Sequence, residues 1–138
     1  MGTQISKDFT LEEMIASGTA LLKKIDNTPN VEVKINIKKL VNNTLQPIRD
    51  LYGRPIAVNS GYRSPELNKA VNGAANSQHL HGKAADITTG NSANNKKLFD
   101  LIQSSKIPFD QLIDEHNYKW IHVSYNEGNN RRQALHLK

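Results

Sequence analysis

The sequence predicts an α+β domain in which helices pack on a small antiparallel sheet. Three observations lead there. Helical periodicity dominates the first half of the 138 residues, strand-like runs gather in the second half, and the last two of those runs are only a few residues apart. Helices followed by a hairpin favour this class over a doubly wound parallel sheet. The length suits one domain spanning 1–138, since domains commonly run to ~100–150 residues.

The elements follow in order from local signals. Thr10-Leu11-Glu12-Glu13 has the form of a capping box, with Thr10 at the N-cap and Glu13 three residues on. A short helix is expected over 11–17, with Leu11, Met14 and Ile15 on one face and Phe9 as its hydrophobic staple. Thr28-Pro29 marks a second start, because proline is tolerated at the first helical position. From there Val33, Ile37, Leu40, Val41, Leu45, Ile48 and Leu51 recur at helical spacing to about Tyr52. Pro47 inside this pattern should kink the helix or loosen one turn, and Gly53 ends it.

A strand is expected over 56–59, followed by a turn at Gly61. Ser64 caps a short helix over 65–71, and 72–76 is loop by composition. A strand over 84–88 and a helix over 92–104, carrying Leu98, Phe99, Leu101 and Ile102, come next. Two strands, 110–115 and 119–125, close the domain, and the polar tail 126–138 reads as irregular.

Composition narrows the chemistry. The chain has no cysteine, so disulfides and thiolate metal sites are excluded and His, Asp and Glu remain as metal ligands. The net charge of +5 favours approach to an anionic polymer, but the basic residues are scattered, which argues against nucleic-acid binding. No apolar run approaches the ~20 residues that span a bilayer, so no membrane association is expected. Met1 to Asp8 has neither a basic nor an apolar segment of the kind a secretory signal uses. The expectation is a monomer made in the cytoplasm, reaching any target outside the cell only after release.

The most informative stretch is Ser77-Gln78-His79-Leu80-His81-Gly82-Lys83-Ala84-Ala85-Asp86, with His122 later in Trp120-Ile121-His122-Val123-Ser124. Two imidazoles and one carboxylate suit zinc, and three protein ligands leave the fourth position of a catalytic site open. His79 and Asp86 are too far apart for one helical face; their spacing suits a loop entering a strand, with Gly82 letting the backbone turn back. In the strand that follows, Trp120, His122 and Ser124 share one face.

A general base must come from Asp114, Glu115 or His81. If Glu115 and Trp120 flank a four-residue turn, Ile113 faces His122 and Glu115 becomes the diagonal neighbour of His122 on the same face, roughly 7 Å away at Cα. Asp114 then points to the opposite face. An odd loop would reverse that choice. His116 and His136 read as surface or satisfied core histidines, and His81 as the same or as a proton shuttle.

These residues resemble the M15 zinc D-Ala-D-Ala peptidases, which cut peptidoglycan stem peptides. The S-x-H-x-x-G-x-A-x-D pattern of that family is matched by Ser77, His79, Gly82, Ala84 and Asp86, and its W-x-H by Trp120 and His122. Ser60-Gly61-Tyr62-Arg63-Ser64, then Asn68, matches S-G-Y-R-S-x-x-x-N. The likeness runs from about residue 9 to 132. It implies helices on one side of the sheet and one zinc on the other, held by His79, Asp86 and His122. It further implies that Arg63 contacts substrate and stabilises the oxyanion, and that Ser77 and Gln78 contact substrate.

Many M15 enzymes place an acidic residue three positions before the last histidine, where this chain has Lys119, a poor base. Asp110-Gln111-Leu112-Ile113-Asp114-Glu115 and Trp120 through Tyr125 instead resemble the shorter branch of phage-type and bacterial peptidases. That likeness and the strand parity both select Glu115 as base. The implied activity is hydrolysis of a stem peptide, as a D-Ala-D-Ala carboxypeptidase or as an endolysin-like L-Ala-D-Glu endopeptidase. The alternatives are a zinc domain without turnover, as in the related fold of Hedgehog signalling domains, and a structural metal domain.

Overall fold

A computed structural model describes residues 2–137. Its centre is a five-stranded sheet in the order β3-β4-β6-β5-β7, formed by β3 (Ala57–Ser60), β4 (Ala84–Thr88), β5 (Gln111–Glu115), β6 (Trp120–Ser124) and β7 (Gln133–Leu137). A two-stranded ribbon of β1 (Gln4–Ser6) and β2 (Phe9–Thr10) precedes the helices. β3, β4, β6 and β5 pair antiparallel, whereas β7 runs parallel to β5. The sheet is therefore mixed. The irregular tail expected over 126–138 is corrected by β7, and the wholly antiparallel sheet with it.

The reason lies in how β7 alternates. Ala134 and His136 pair with Leu112 and Asp114 on the core side, while Leu135 and Leu137 pair with Ile113 and Glu115 on the opposite face. Its two leucines face away from the core, so its pattern carries no ordinary strand signature.

The helices that build the core cover one face of the sheet. Thr10 forms the expected capping box with Glu13 and starts α1 (Leu11–Ile15). The first helix ends earlier than expected, because Ser17 caps a separate α2 (Gly18–Lys23) by accepting from Ala20 N–H. The next helix, α3 (Val31–Leu40), starts at Asn30 and not at Thr28-Pro29: the Asn30 carboxamide accepts from Val33 N–H, and Thr28 N–H is engaged by Asp26 in a turn. Val41–Leu45 forms a π-helical turn before α4 (Gln46–Tyr52), with Gln46 N–H reaching back to Val41 O. That widened turn accommodates Pro47, which lacks an N–H and whose ring would crowd the preceding carbonyls. Gly53, left-handed at φ 76°, ends α4.

The buried stripe Val33, Ile37, Leu40, Val41, Leu45 and Ile48 packs with Leu98, Phe99 and Ile102 of α6 (Ser92–Ser104) against Ala85, Ile87, Leu112, Ile121 and Val123 of the sheet. Alternation along β4, β5 and β6 thus sends Asp86, Ile113 and His122 to the other face.

The β5–β6 hairpin has the register expected from a four-residue turn, with Ile113 opposite His122 and Glu115 opposite Trp120. Its turn is unusual in holding His116, Asn117 and Tyr118 all at positive φ, between 51° and 64°. Asn95, fully buried on α6, fixes it. Its Nδ2 donates to Tyr118 O at 2.9 Å and Lys119 O at 3.2 Å, and its Oδ1 accepts from Thr89 N–H and Oγ1 at 2.8 and 2.7 Å. Asn95→Ala should lower stability by about 1–3 kcal/mol, since buried polar groups lose their partners. Urea denaturation checks this, and an unchanged midpoint would show that the turn holds itself.

Candidate metal centre and active-site cleft

His79 sits in a short 3₁₀ turn, Gln78–His81, that Ser77 caps by accepting from His79 N–H. Gly82, at φ 71°, ends that turn and lets the chain double back into β4. A Cβ there would come within 2.9 Å of Val33 O, so glycine is required both by conformation and by the nearness of α3. Asp86 and His122 are direct cross-strand partners on β4 and β6.

The three side chains converge. His79 Nε2 and His122 Nδ1 lie 3.4 and 3.2 Å from the same Asp86 Oδ1, and one ligand atom from each residue falls within 4.8 Å of the others. Zinc bonded to nitrogen and oxygen at ~2.0–2.1 Å in a tetrahedron separates its ligands by about 3.3 Å. Two of the three separations match that value, and the N, N, O donor set matches the metal. The Nδ1 of His79 is 2.7 Å from the carbonyl of Gly61. Donation of Nδ1–H to that carbonyl leaves the Nε2 lone pair aimed at the centre, as a metal ligand needs. With no cation bound, burial pushes the Asp86 carboxyl upward, but N–H groups of His122 and His79 turned to it outweigh that and hold the group well below the ordinary carboxylate range; a bound metal ion would take the place of those protons.

Arg63 stands at the second oxygen of the same carboxylate, with Nη2 3.7 Å from Asp86 Oδ2. Its Nε donates to Ser60 Oγ and its Nη1 to Asn68 Oδ1, at 3.2 and 3.0 Å, and its backbone N–H donates to His79 O. The motif Ser60-Gly61-Tyr62-Arg63 with Asn68 is thus one bonded unit around the guanidinium. Ser64, as expected, caps α5 (Pro65–Ala70).

A cleft of about 720 Å³ opens over this centre. Arg63, Ser77, Gln78, Glu115, Trp120 and His122 all contribute to its walls. Glu115 is half-buried there, on the His122 face of the hairpin. Asp114 points the other way: it accepts from Tyr118 N–H and lies 3.1 Å from His136 Nδ1, and His136 also packs on Phe99. His81 is exposed and does not line the cleft, which removes it as a base or shuttle at this site. Lys119 is also exposed outside the lining. His116, read as a surface residue, lies at the cleft wall and packs on Trp120 at 4.9 Å between ring centroids.

The profile of the family described as Peptidase M15 matches residues 7–124. The chain belongs to the M15 family of zinc peptidases. A zinc D-Ala-D-Ala carboxypeptidase of Streptomyces albus G is 49% identical over 47 residues, which are 33% of this chain and 18% of that protein. This M15 peptidase therefore aligns with less than a fifth of the carboxypeptidase. No described helix is long and apolar enough to cross a membrane.

A buried carboxylate without any local sequence signal braces the cleft wall. Asp110, 2% exposed, accepts from Arg131 Nε, Nη2 and backbone N–H and from Gln78 Nε2, and so ties the β6–β7 connection to the turn that carries His79. No local pattern links these positions. The Arg131 hydrogen bonds hold the Asp110 carboxyl down at about 2. An unfolded aspartate titrates near ~3.9, so this contribution to stability is complete above that value and is lost as pH falls toward 2. Metal-free protein should therefore lose stability between about pH 4 and 2, and Asp110→Asn should be less stable at pH 7 but flatter across that window. Urea midpoints against pH measure both; parallel curves would show that Asp110 does not carry the acid sensitivity.

Proposed function

We propose that this M15 peptidase hydrolyses peptide bonds in peptidoglycan stem peptides, with His79, Asp86 and His122 holding one zinc. The observation that carries the reading is the convergence of two imidazole nitrogens on one carboxylate oxygen in the wall of a cleft that also contains an acid and an arginine. The substrate class rests on the family and on the named activity of the carboxypeptidase relative. Bound zinc would supply Lewis acidity, polarising the scissile carbonyl and acidifying water at neutral pH.

The chain's own residues do the rest. Glu115, half-buried on the His122 face, takes a proton from the attacking water and delivers it to the leaving amine. Arg63 offers guanidinium N–H donors to the carbonyl oxygen as it gains charge, or to a substrate carboxylate beside the bond. Its bonds to Ser60 and Asn68 hold that fork in place before substrate arrives, so little reorganisation is needed during reaction. Ser77 and Gln78 form the wall beside His79 and contact the peptide. A stem peptide's D-Ala-D-Ala bond fits the relative, and an L-Ala-D-Glu bond fits an endolysin-like role on the cell wall.

Incubating zinc-loaded protein with purified muropeptides and weighing the products tests the reading and identifies the bond. Glu115→Gln should keep zinc and lose ~10²–10⁴-fold in turnover, because an amide cannot accept the proton. Asp114→Asn should affect turnover much less and stability more. A Glu115→Gln enzyme with normal turnover would remove Glu115 from the chemistry, and intact muropeptides with the unsubstituted protein would contradict the substrate class.

A further inference from the structure

The cleft contains a second guanidinium that the mechanism above does not use. Arg131 lines it from the β6–β7 connection with about half of its side chain exposed (52%). It is not a loose surface arginine. Its Nε and Nη2 lie 2.8 and 2.9 Å from the two oxygens of the buried Asp110, which fixes the plane of the guanidinium. That contact occupies one edge of the fork. The Nη1 donors and the second Nη2 donor have no acceptor among the described residues. Together they present the parallel pair of N–H groups that fits a carboxylate.

The bracing of this connection does not rest on Arg131 alone. Arg132 already fastens the segment to the end of α6, bonding Gln103 O and Ser105 O at 3.2 and 3.0 Å, reaching Ile107 O, and lying 4.4 Å above the Phe109 ring. Main-chain bonds from Arg132 to Phe109 O, Gln133 to Asp110 O and Arg131 to Asp110 Oδ1 add to it. The Asp110-bonded edge of Arg131 adds to this bracing, whereas its second edge takes no part in it, is held rigidly and faces the cleft.

Its position sets the ligand. Arg63 follows β3 and Arg131 precedes β7, the two opposite edges of the sheet, with Asp86 and His122 on the strands between and His79 in the turn before β4. Gln78, the neighbour of the ligand His79, donates to the same Asp110 Oδ2 as Arg131, so one glutamine side chain and one ion pair, roughly 10 Å in all, separate the guanidinium from the metal ligands. An extended peptide covers ~3.3–3.6 Å per residue, so that distance is about three residues. We propose that Arg131, oriented by Asp110, binds a substrate carboxylate about three residues from the bond that is cut. The inference rests on the stem-peptide reading and names one feature of that substrate: the free α-carboxylate of its γ-linked D-glutamate stands at such a distance from the terminal D-Ala-D-Ala bond.

Two N-acetylated pentapeptides, L-Ala-γ-D-Glu-L-Lys-D-Ala-D-Ala with that α-carboxylate free or converted to a carboxamide, test the proposal by calorimetry on zinc-loaded Glu115→Gln protein. With Arg131 present, the carboxylate peptide should bind about 10-fold more tightly or better, as a charge-assisted pair provides. Adding Arg131→Gln should abolish the preference by weakening the carboxylate peptide alone, and Arg131→Lys should restore only part of it. Equal affinity for the two peptides on the Arg131 protein overturns the proposal without any change at position 131. So does a preference that survives Arg131→Gln, an equal loss for both peptides, or no binding of either. Muropeptide turnover reports separately on the peptidase reading, so an Arg131-dependent preference without turnover would sink that reading and leave this subsite standing.

Discussion

Everything in the cleft depends on one crowded point, the Oδ1 of Asp86, approached to within 3.4 Å by two imidazole nitrogens. In the interior of a small domain such a cluster is costly unless its charges and lone pairs are answered. A divalent cation answers all three groups at once. The fold prepares for that: the Gly61 carbonyl orients His79, the cross-strand pair of β4 and β6 places Asp86 beside His122, and Arg63 balances the remaining carboxylate oxygen. In the proposed mechanism, Glu115 and Arg63 have no reaction to serve without that convergence.

Both sides of the sheet share in this. The core face, with Ala85, Ile87, Ile121 and Val123 packed under the helices, keeps β4 and β6 in register. Because side chains alternate, that same register decides which residues meet at the metal centre, and a slip of one residue would turn Asp86 and His122 into the core. Asn95 performs the corresponding task at the hairpin turn. By bonding the Tyr118 and Lys119 carbonyls it stabilises a left-handed four-residue turn, and the even length of that turn puts Glu115 on the cleft side.

Much of the site could be read from the sequence, for a physical reason: its determinants are local. The spacing from His79 through Gly82 to Asp86 describes a turn entering a strand, and hairpin parity needs only the turn's length. The capping signals at Thr10 and Ser64 were equally local. The departures from the sequence pattern have more than one cause. α2 has no apolar stripe to detect, since Leu21 and Leu22 are 82% and 86% exposed. β7 turns its leucines away from the core and pairs in parallel with β5, so its alternation reads inverted. Arg131 joins the cleft only because the β6–β7 connection folds back onto Asp110. α3 starts two residues beyond the Thr28-Pro29 signal, because the Asn30 carboxamide caps Val33 N–H in its place.

The central claim is that one zinc sits on His79, Asp86 and His122, and anomalous diffraction from zinc-loaded crystals at the zinc absorption edge tests it most directly. The account predicts one strong peak per chain, ~2.0–2.2 Å from His79 Nε2, from His122 Nδ1 and from a carboxylate oxygen of Asp86. A peak held by other residues, or none at these three in protein shown to carry stoichiometric zinc, would contradict it.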